Sequence, residues 1–196
     1  MIITKTYKSP PFNEREALRY SGCKTADQET EKLLHSCFDE VNTALKYTVC
    51  YGKFPLIIRD NICDFGVFSV KSSGLSGNLA GCDEVMIFAA TIGVGIDRLI
   101  SKYSRISPAR SVMIDALGAE RIESLCDLFC KDFELEQNVK LKPRFSPGYG
   151  DLPLETQKDI FAVLECTKKI GISLNESLLM SPSKSVTAFA GITQKE

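Results

Sequence analysis

The sequence predicts an α+β fold, with a sheet built from the middle of the chain and helices on either side of it. Three observations carry the prediction. Apolar residues recur at three- and four-residue spacing up to about residue 45 and again after Gly95. Between them lie short runs rich in Ile, Val, Phe and Tyr, separated by Gly, Asn and Asp. No βαβ rhythm repeats, which argues against a doubly wound sheet.

Asn13 to Tyr20 opens on a capping residue, carries acids in its first turn and is closed by Gly22, the pattern of a short helix. From Asp27 to Leu45, Leu33, Leu34, Cys37, Val41 and Leu45 form one apolar stripe of an amphipathic helix. Thr48–Tyr51, Pro55–Arg59, Phe65–Lys71 and Glu84–Thr91 read as strands. Asp60-Asn61 suits a hairpin turn, and the uninterrupted apolar character of the last run suits a strand covered on both faces. A helix follows, with Ile96, Leu99, Ile100 and Tyr103 on one side. Ser107-Pro108 then starts the longest helix, running to about Leu135 with Val112, Ala116, Ala119, Ile122, Cys126, Phe129 and Phe133 facing inward. Leu152 to Ile170 gives one more helix, with Ile160, Val163, Leu164 and Thr167 inward and Gly171 at its C-terminal cap. Ser185–Ile192 closes the chain as a strand. With no internal repeat or linker, residues 1–196 read as a single domain.

Composition narrows the function. The 24 Lys and Arg balance 25 Asp and Glu for a net charge of -1, so nothing favours nucleic acid or an anionic membrane as a partner. Charged residues scattered through the first twenty leave no signal-peptide core, and the longest apolar run, Val85–Ile92, is far short of the roughly 20 residues of a spanning helix. A cytoplasmic protein is expected. None of the eight cysteines forms a Cys-x-x-Cys pair, and Cys126 and Cys130, one helical turn apart, read as small buried residues. The one histidine, His35, sits on a helix as a structural or surface residue. No metal site is expected.

Three segments could carry a ligand. Gly93-Val94-Gly95 joins a strand to a helix where an anion could meet helix N–H groups. It lacks the third glycine of a dinucleotide fingerprint and the Lys-Ser/Thr of a phosphate loop, and reads as a tight turn. Lys140 to Pro153 holds three prolines and two glycines, the recipe for a stiffened loop that presents backbone groups at low entropic cost. Arg144 there suits a carboxylate and Tyr149 offers a flat face with a hydroxyl. The same residues also suit a rigid connection in which Asp151 and Pro153 merely begin the next helix. Glu120 and Glu123, one turn apart, could face a cleft beneath the loop or be solvated surface charges.

Arg144-Phe145-Ser146-Pro147-Gly148-Tyr149, then Ile170-Gly171-Ile172-Ser173-Leu174-Asn175-Glu176-Ser177, then Met180-Ser181-Pro182-Ser183-Lys184-Ser185-Val186 resemble, in that order, the activation domain of cobalamin-dependent methionine synthase. That domain carries Arg-x-Ala/Ser-Pro-Gly-Tyr, Gly-x-x-Leu-Thr-Glu-Ser and Met-x-Pro-x-x-Ser-Val. Ala90–Asp127, with Thr91-Ile92-Gly93 and Asp115-Ala116-Leu117-Gly118-Ala119, and Leu18–Gly22 are similar to its short, free-standing relatives. The family's Cys-Pro-x-His-Thr-Glu-Lys continuation is replaced here by Asp151-Leu152-Pro153-Leu154-Glu155-Thr156-Gln157-Lys158.

The resemblance implies a central, mainly antiparallel sheet with flanking helices and an S-adenosylmethionine-binding role in reductive reactivation, in trans, of a cobalamin-dependent methionine synthase. Arg144 would hold the ligand carboxylate, the backbone at Ser146 and Gly148 would meet the adenosyl moiety, Tyr149 would line the methyl-donor pocket, and Glu120 or Glu123 would face the ligand amino group. Cobalamin would come from the partner, a methionine synthase or another corrinoid protein, since no Asp-x-His-x-x-Gly motif surrounds His35. A flavodoxin-like protein would be the reductant. No catalytic residue is assigned, and the isolated chain is not expected to turn over. The alternative is a non-catalytic docking partner or activator of another corrinoid methyltransferase that does not bind S-adenosylmethionine.

Overall fold

The computed structural model describes residues 1–23 and 27–195. Strand β1 (Ile3–Tyr7) is followed by α1 (Glu14–Tyr20) and α2 (Gln28–Ala44). Both helices start where the sequence indicates, the side chains of Asn13 and Asp27 accepting from the N–H groups of Glu16 and Thr30 at 3.2 and 2.8 Å. Next come β2 (Tyr47–Pro55), β3 (Ile57–Arg59), β4 (Ile62–Asp64), β5 (Ser69–Lys71), α3 (Ser73–Asn78) and β6 (Glu84–Thr91). Asp60 and Asn61 join β3 to β4 with φ of 50° and 61°, the left-handed pair that a tight two-residue hairpin requires. Then follow α4 (Gly95–Tyr103), α5 (Pro108–Gln137), β7 (Val139–Leu141), α6 (Thr156–Leu164), α7 (Cys166–Ile170), β8 (Ser173–Leu174), β9 (Met180–Ser181) and β10 (Ser185–Gln194).

The main sheet has the order β1-β2-β6-β10-β7, and every neighbouring pair is antiparallel. The central strand β6 alternates between two cores. Met86, Phe88 and Ala90 meet Leu117, Phe129 and their neighbours beneath α1, α2, α4 and α5. Val85, Ile87 and Ala89 meet Phe65, Leu75, Leu79 and Ile160 on the other side, under the small sheet β3-β4-β5, α3, α6 and α7. Coverage on both faces explains why this strand shows no polar alternation. Among the described residues no helix is long and apolar enough to cross a membrane.

Four local expectations are corrected. The helix expected over 152–170 begins only at Thr156 and is two helices rather than one, because Glu165 is left-handed (φ 52°) and rotates the following turn, burying Cys166 and exposing Thr167. Val112 is exposed, and Met113 and Leu117 take the inward positions near the start of α5. Pro55 ends β2, while Leu56 leaves the ladder and donates its N–H to the Asp83 carbonyl. Phe65 to Phe68 is a turn closed by the Phe65 N–H on the Phe68 carbonyl, so only Ser69–Lys71 of that run is strand.

Candidate functional site

The long loop leaves the sheet along its edge. Past β7, the Lys142 N–H still donates to Gly191, and Phe145 and Phe189 exchange both backbone hydrogen bonds at 2.9 Å. Arg144 therefore stands on backbone zipped to β10. The loop then closes on itself, Tyr149 N–H donating to Ser146, Leu152 N–H to Tyr149 and Gly148 N–H to Leu152. Gly148 has φ of 86°, a conformation that suits glycine. Pro147 is buried under the turn. Tyr149 is 70% exposed, its ring edge-on to Phe145 with centroids 5.6 Å apart.

Asp151 ends this turn and is bound by the start of α3. Its carboxylate accepts from Ser72 Oγ, Ser73 N, Ser73 Oγ and Gly74 N at 2.5 to 3.0 Å. The two hydroxyls and then the Gly74 and Ser73 N–H groups hold its carboxyl well below the usual carboxylate range. Its role is thus to fasten the loop to α3, not to begin α6.

On its other side the loop faces α5. The Arg144 guanidinium donates to Glu123 Oε2 at 2.7 Å and to Asp127 Oδ1 at 2.8 Å. Glu120 lies deeper on the same helix. Its Oε1 accepts from Arg121 Nη2, Asn13 N and Ser124 Oγ, and its Oε2 from Arg121 Nε, so the carboxylate is held by four donors of the protein. Arg121, fully buried, also donates to the carbonyls of Pro10 and Pro11 and lies over the rings of Phe12 and Phe38. A recess of about 260 Å³ opens between α1 and α5, lined by Asn13, Glu16, Tyr20, Glu120, Glu123 and Asp127. A wider groove of about 690 Å³ runs past Asp127 on the other flank, between Cys130, Lys131 and the Leu141–Arg144 segment.

The predicted residues thus fall into two groups: Arg144 pairs with Glu123 on α5, above the buried Glu120, while Ser146, Gly148 and Tyr149 lie in the closed turn that packs on Phe145 and is tied to α3. Two residues beside these groups were not among the predicted ligand residues. Asp127 was legible in the 120-123-127 spacing of one helix face. Asp151 was not, because its partners lie more than seventy residues away. Burial pushes the Cys126 thiol up and the Cys130 thiol up to about 11, so both are protonated at neutral pH. Among the described residues no cluster of His, Cys, Asp or Glu has the makings of a metal site. His35 lies on the surface beside Glu14. At the Gly93–Gly95 turn, a Cβ on Gly95 would fall 2.1 Å from the Ala44 carbonyl oxygen, so close packing of α4 on α2 accounts for that glycine.

The family described as the activation domain of vitamin B12-dependent methionine synthase matches residues 76–195, a span that holds all six candidate ligand residues. Among solved structures, the chain is similar to the crystal structure of the MetH reactivation domain bound to AdoHcy. The TM-score is 0.73 at 16% identity, over 100% of this chain and 79% of that one, a likeness of fold. No curated protein matches the sequence. With the family match extending over more than half its length, the chain belongs to the activation domains of vitamin B12-dependent methionine synthase.

Proposed function

We propose that this chain binds S-adenosylmethionine at the Arg144–Tyr149 loop and serves, in trans, in the reductive reactivation of a cobalamin-dependent methionine synthase. The observation that carries the reading is the Arg144–Glu123–Asp127 cluster at the start of the loop that presents the exposed Tyr149. A zwitterionic amino-acid group needs one cation and one anion side by side, and both are in place here. The cluster's one positive and two negative charges also complement the net +1 of a ligand that carries an ammonium, a carboxylate and a sulfonium.

Admitting the ligand requires only an exchange of ion pairs. Glu123 and Asp127 are 45% and 75% exposed, and pairs of that kind contribute about 0–1 kcal/mol. In this scheme Arg144 turns from Asp127 to the ligand carboxylate, while Glu123 receives the ammonium. The Ser146 N–H and Gly148 carbonyl, which the loop's own turns leave free, meet the adenosyl moiety. Tyr149 lines the methyl-donor pocket, and Glu120 acts indirectly, by fixing α5 against the Pro10–Asn13 segment.

Cobalamin held by a partner chain and reduced by one electron from a flavodoxin-like donor would supply the nucleophile for the sulfonium methyl, leaving S-adenosylhomocysteine. This chain's residues bind and orient the donor; no turnover by the chain alone is expected. Calorimetric titration with S-adenosylmethionine tests the site. The wild type should bind saturably and Arg144→Ala about 10- to 150-fold more weakly, the scale of a charge-assisted hydrogen bond. Equal affinity in the two proteins would remove Arg144 from the site. No binding by the wild type would instead support a docking partner that lacks the ligand.

A further inference from the structure

We propose that Asp151 is a positioning residue: by latching the Arg144–Tyr149 loop to the N-terminus of α3, it holds the loop in the shape that presents Tyr149 and the Ser146 and Gly148 backbone. The inference rests on the ligand-binding role proposed above for that loop.

Two independent features of the structure support the latch. The first is saturation of the carboxylate. Each oxygen of Asp151 accepts two hydrogen bonds from the Ser72–Gly74 segment. Ser72 Oγ in turn caps the Leu75 N–H at 3.0 Å, so one serine joins the latch to the start of α3. The second is steric. A Cβ on Gly74 would lie 3.0 Å from Asp151 Oδ1 and 3.1 Å from Phe145 Cζ, so a methyl group there would press on both ends of the loop. Gly74 touches the residue after Arg144 and the residue that ends the turn, and the hydrogen bonds that close the turn lie between them.

Without the latch, the turn rests on Pro147 packing and on the three backbone hydrogen bonds among Ser146, Gly148, Tyr149 and Leu152, in a stretch whose two glycines favour many conformations. Arg144 itself stays on the Phe145–Phe189 zipper. Loss of the latch should therefore loosen residues 146–151 and leave the sheet and Arg144 in place.

The test compares wild type, Asp151→Ala, Asp151→Asn and Gly74→Ala. Amide hydrogen exchange at Gly148 and Leu152 is measured in ligand-free protein, with the thermal midpoint and S-adenosylmethionine affinity read in parallel. Asp151→Ala should speed exchange at both amides about tenfold or more and weaken binding by a similar factor. Exchange at Phe145 and Phe189 should not change. Asp151→Asn, which keeps an acceptor oxygen, should fall between, and Gly74→Ala should loosen the same amides from the opposite side. Unchanged exchange at Gly148 and Leu152 in Asp151→Ala overturns the latch, as does faster exchange with unchanged affinity. If the wild type binds no S-adenosylmethionine, the functional reading fails by itself, and exchange in the ligand-free protein still decides whether Asp151 orders the loop.

Discussion

Replacing Arg121 with methionine isolates the buried charge pair beneath the site. Methionine fills much of the same volume but removes the guanidinium. Arg121 and Glu120 have side chains 0% and 2% exposed, so the variant leaves a carboxylate in the interior with only Asn13 N and Ser124 Oγ as donors, and removes the guanidinium donor from the carbonyls of Pro10 and Pro11. Breaking one side of such a pair costs about 3–5 kcal/mol. At about 2–4 °C per kcal/mol for a chain of this size, the thermal midpoint should fall by roughly 6–20 °C. The double variant Glu120→Leu/Arg121→Met removes the stranded charge and should recover part of the loss; the hydrogen bonds from the guanidinium to the proline carbonyls stay lost, so recovery is incomplete. Thermal melts followed by circular dichroism read all three states. A single-variant loss below about 1 kcal/mol would refute the brace. So would a Glu120→Gln variant that keeps its stability but loses S-adenosylmethionine affinity, since that would make Glu120 a direct ligand contact. The reverse is expected, with affinity falling in Glu123→Gln.

Three further outcomes follow from the geometry. Gly95→Ala pushes a methyl group into the Ala44 carbonyl and should destabilise the protein by about 3 kcal/mol in chemical denaturation, whereas an unchanged midpoint would mean that α4 can slide off α2 freely. Asp151 has a lowered pKa in the folded state, so its contribution is present above its unfolded value of about 3.9 and is lost only as pH falls through the lower folded value. Its carboxyl carbon resonance should show no inflection near 3.9, and an ordinary inflection there would contradict the latch geometry. Cys130, with a thiol pKa of about 11, should react with iodoacetamide about a hundredfold more slowly than an unperturbed thiol at neutral pH, and denaturation should remove the difference.

Much of the fold is legible in the sequence because its elements announce themselves. Asn13 and Asp27 cap helices, Ser107-Pro108 starts one, Asp60-Asn61 turns a hairpin, and the unbroken apolar run of β6 identifies a strand covered on both sides. The missed elements lack such local signals. β1 and β7 lie at the edges of the sheet, the latter only three residues long, and their pairing is a long-range event. The α3 sequence Ser-Gly-Leu-Ser-Gly-Asn has poor helix propensity, and its first turn is completed by Ser72 and the distant Asp151. Nothing local marks Glu165 as left-handed.

The site shows the same division. Stiffness of the 143–153 loop follows from its prolines and its self-closing turns, and the resemblance of the Arg144–Tyr149 motif agrees with the family match. The pairing of Glu120 with Arg121 could not be read, because adjacent helix residues do not ordinarily face each other. Here both converge on the Pro10–Asn13 segment.

The most direct test of the central claim is reconstitution in trans with S-adenosylmethionine labelled at the sulfonium methyl, an oxidised cobalamin-loaded methionine synthase lacking its own activation domain, and a flavodoxin-like reductant. Label should reach the cobalamin only when this chain is present, and much less with Arg144→Ala. Equal labelling with and without the chain, or equal labelling by wild type and Arg144→Ala, would contradict it.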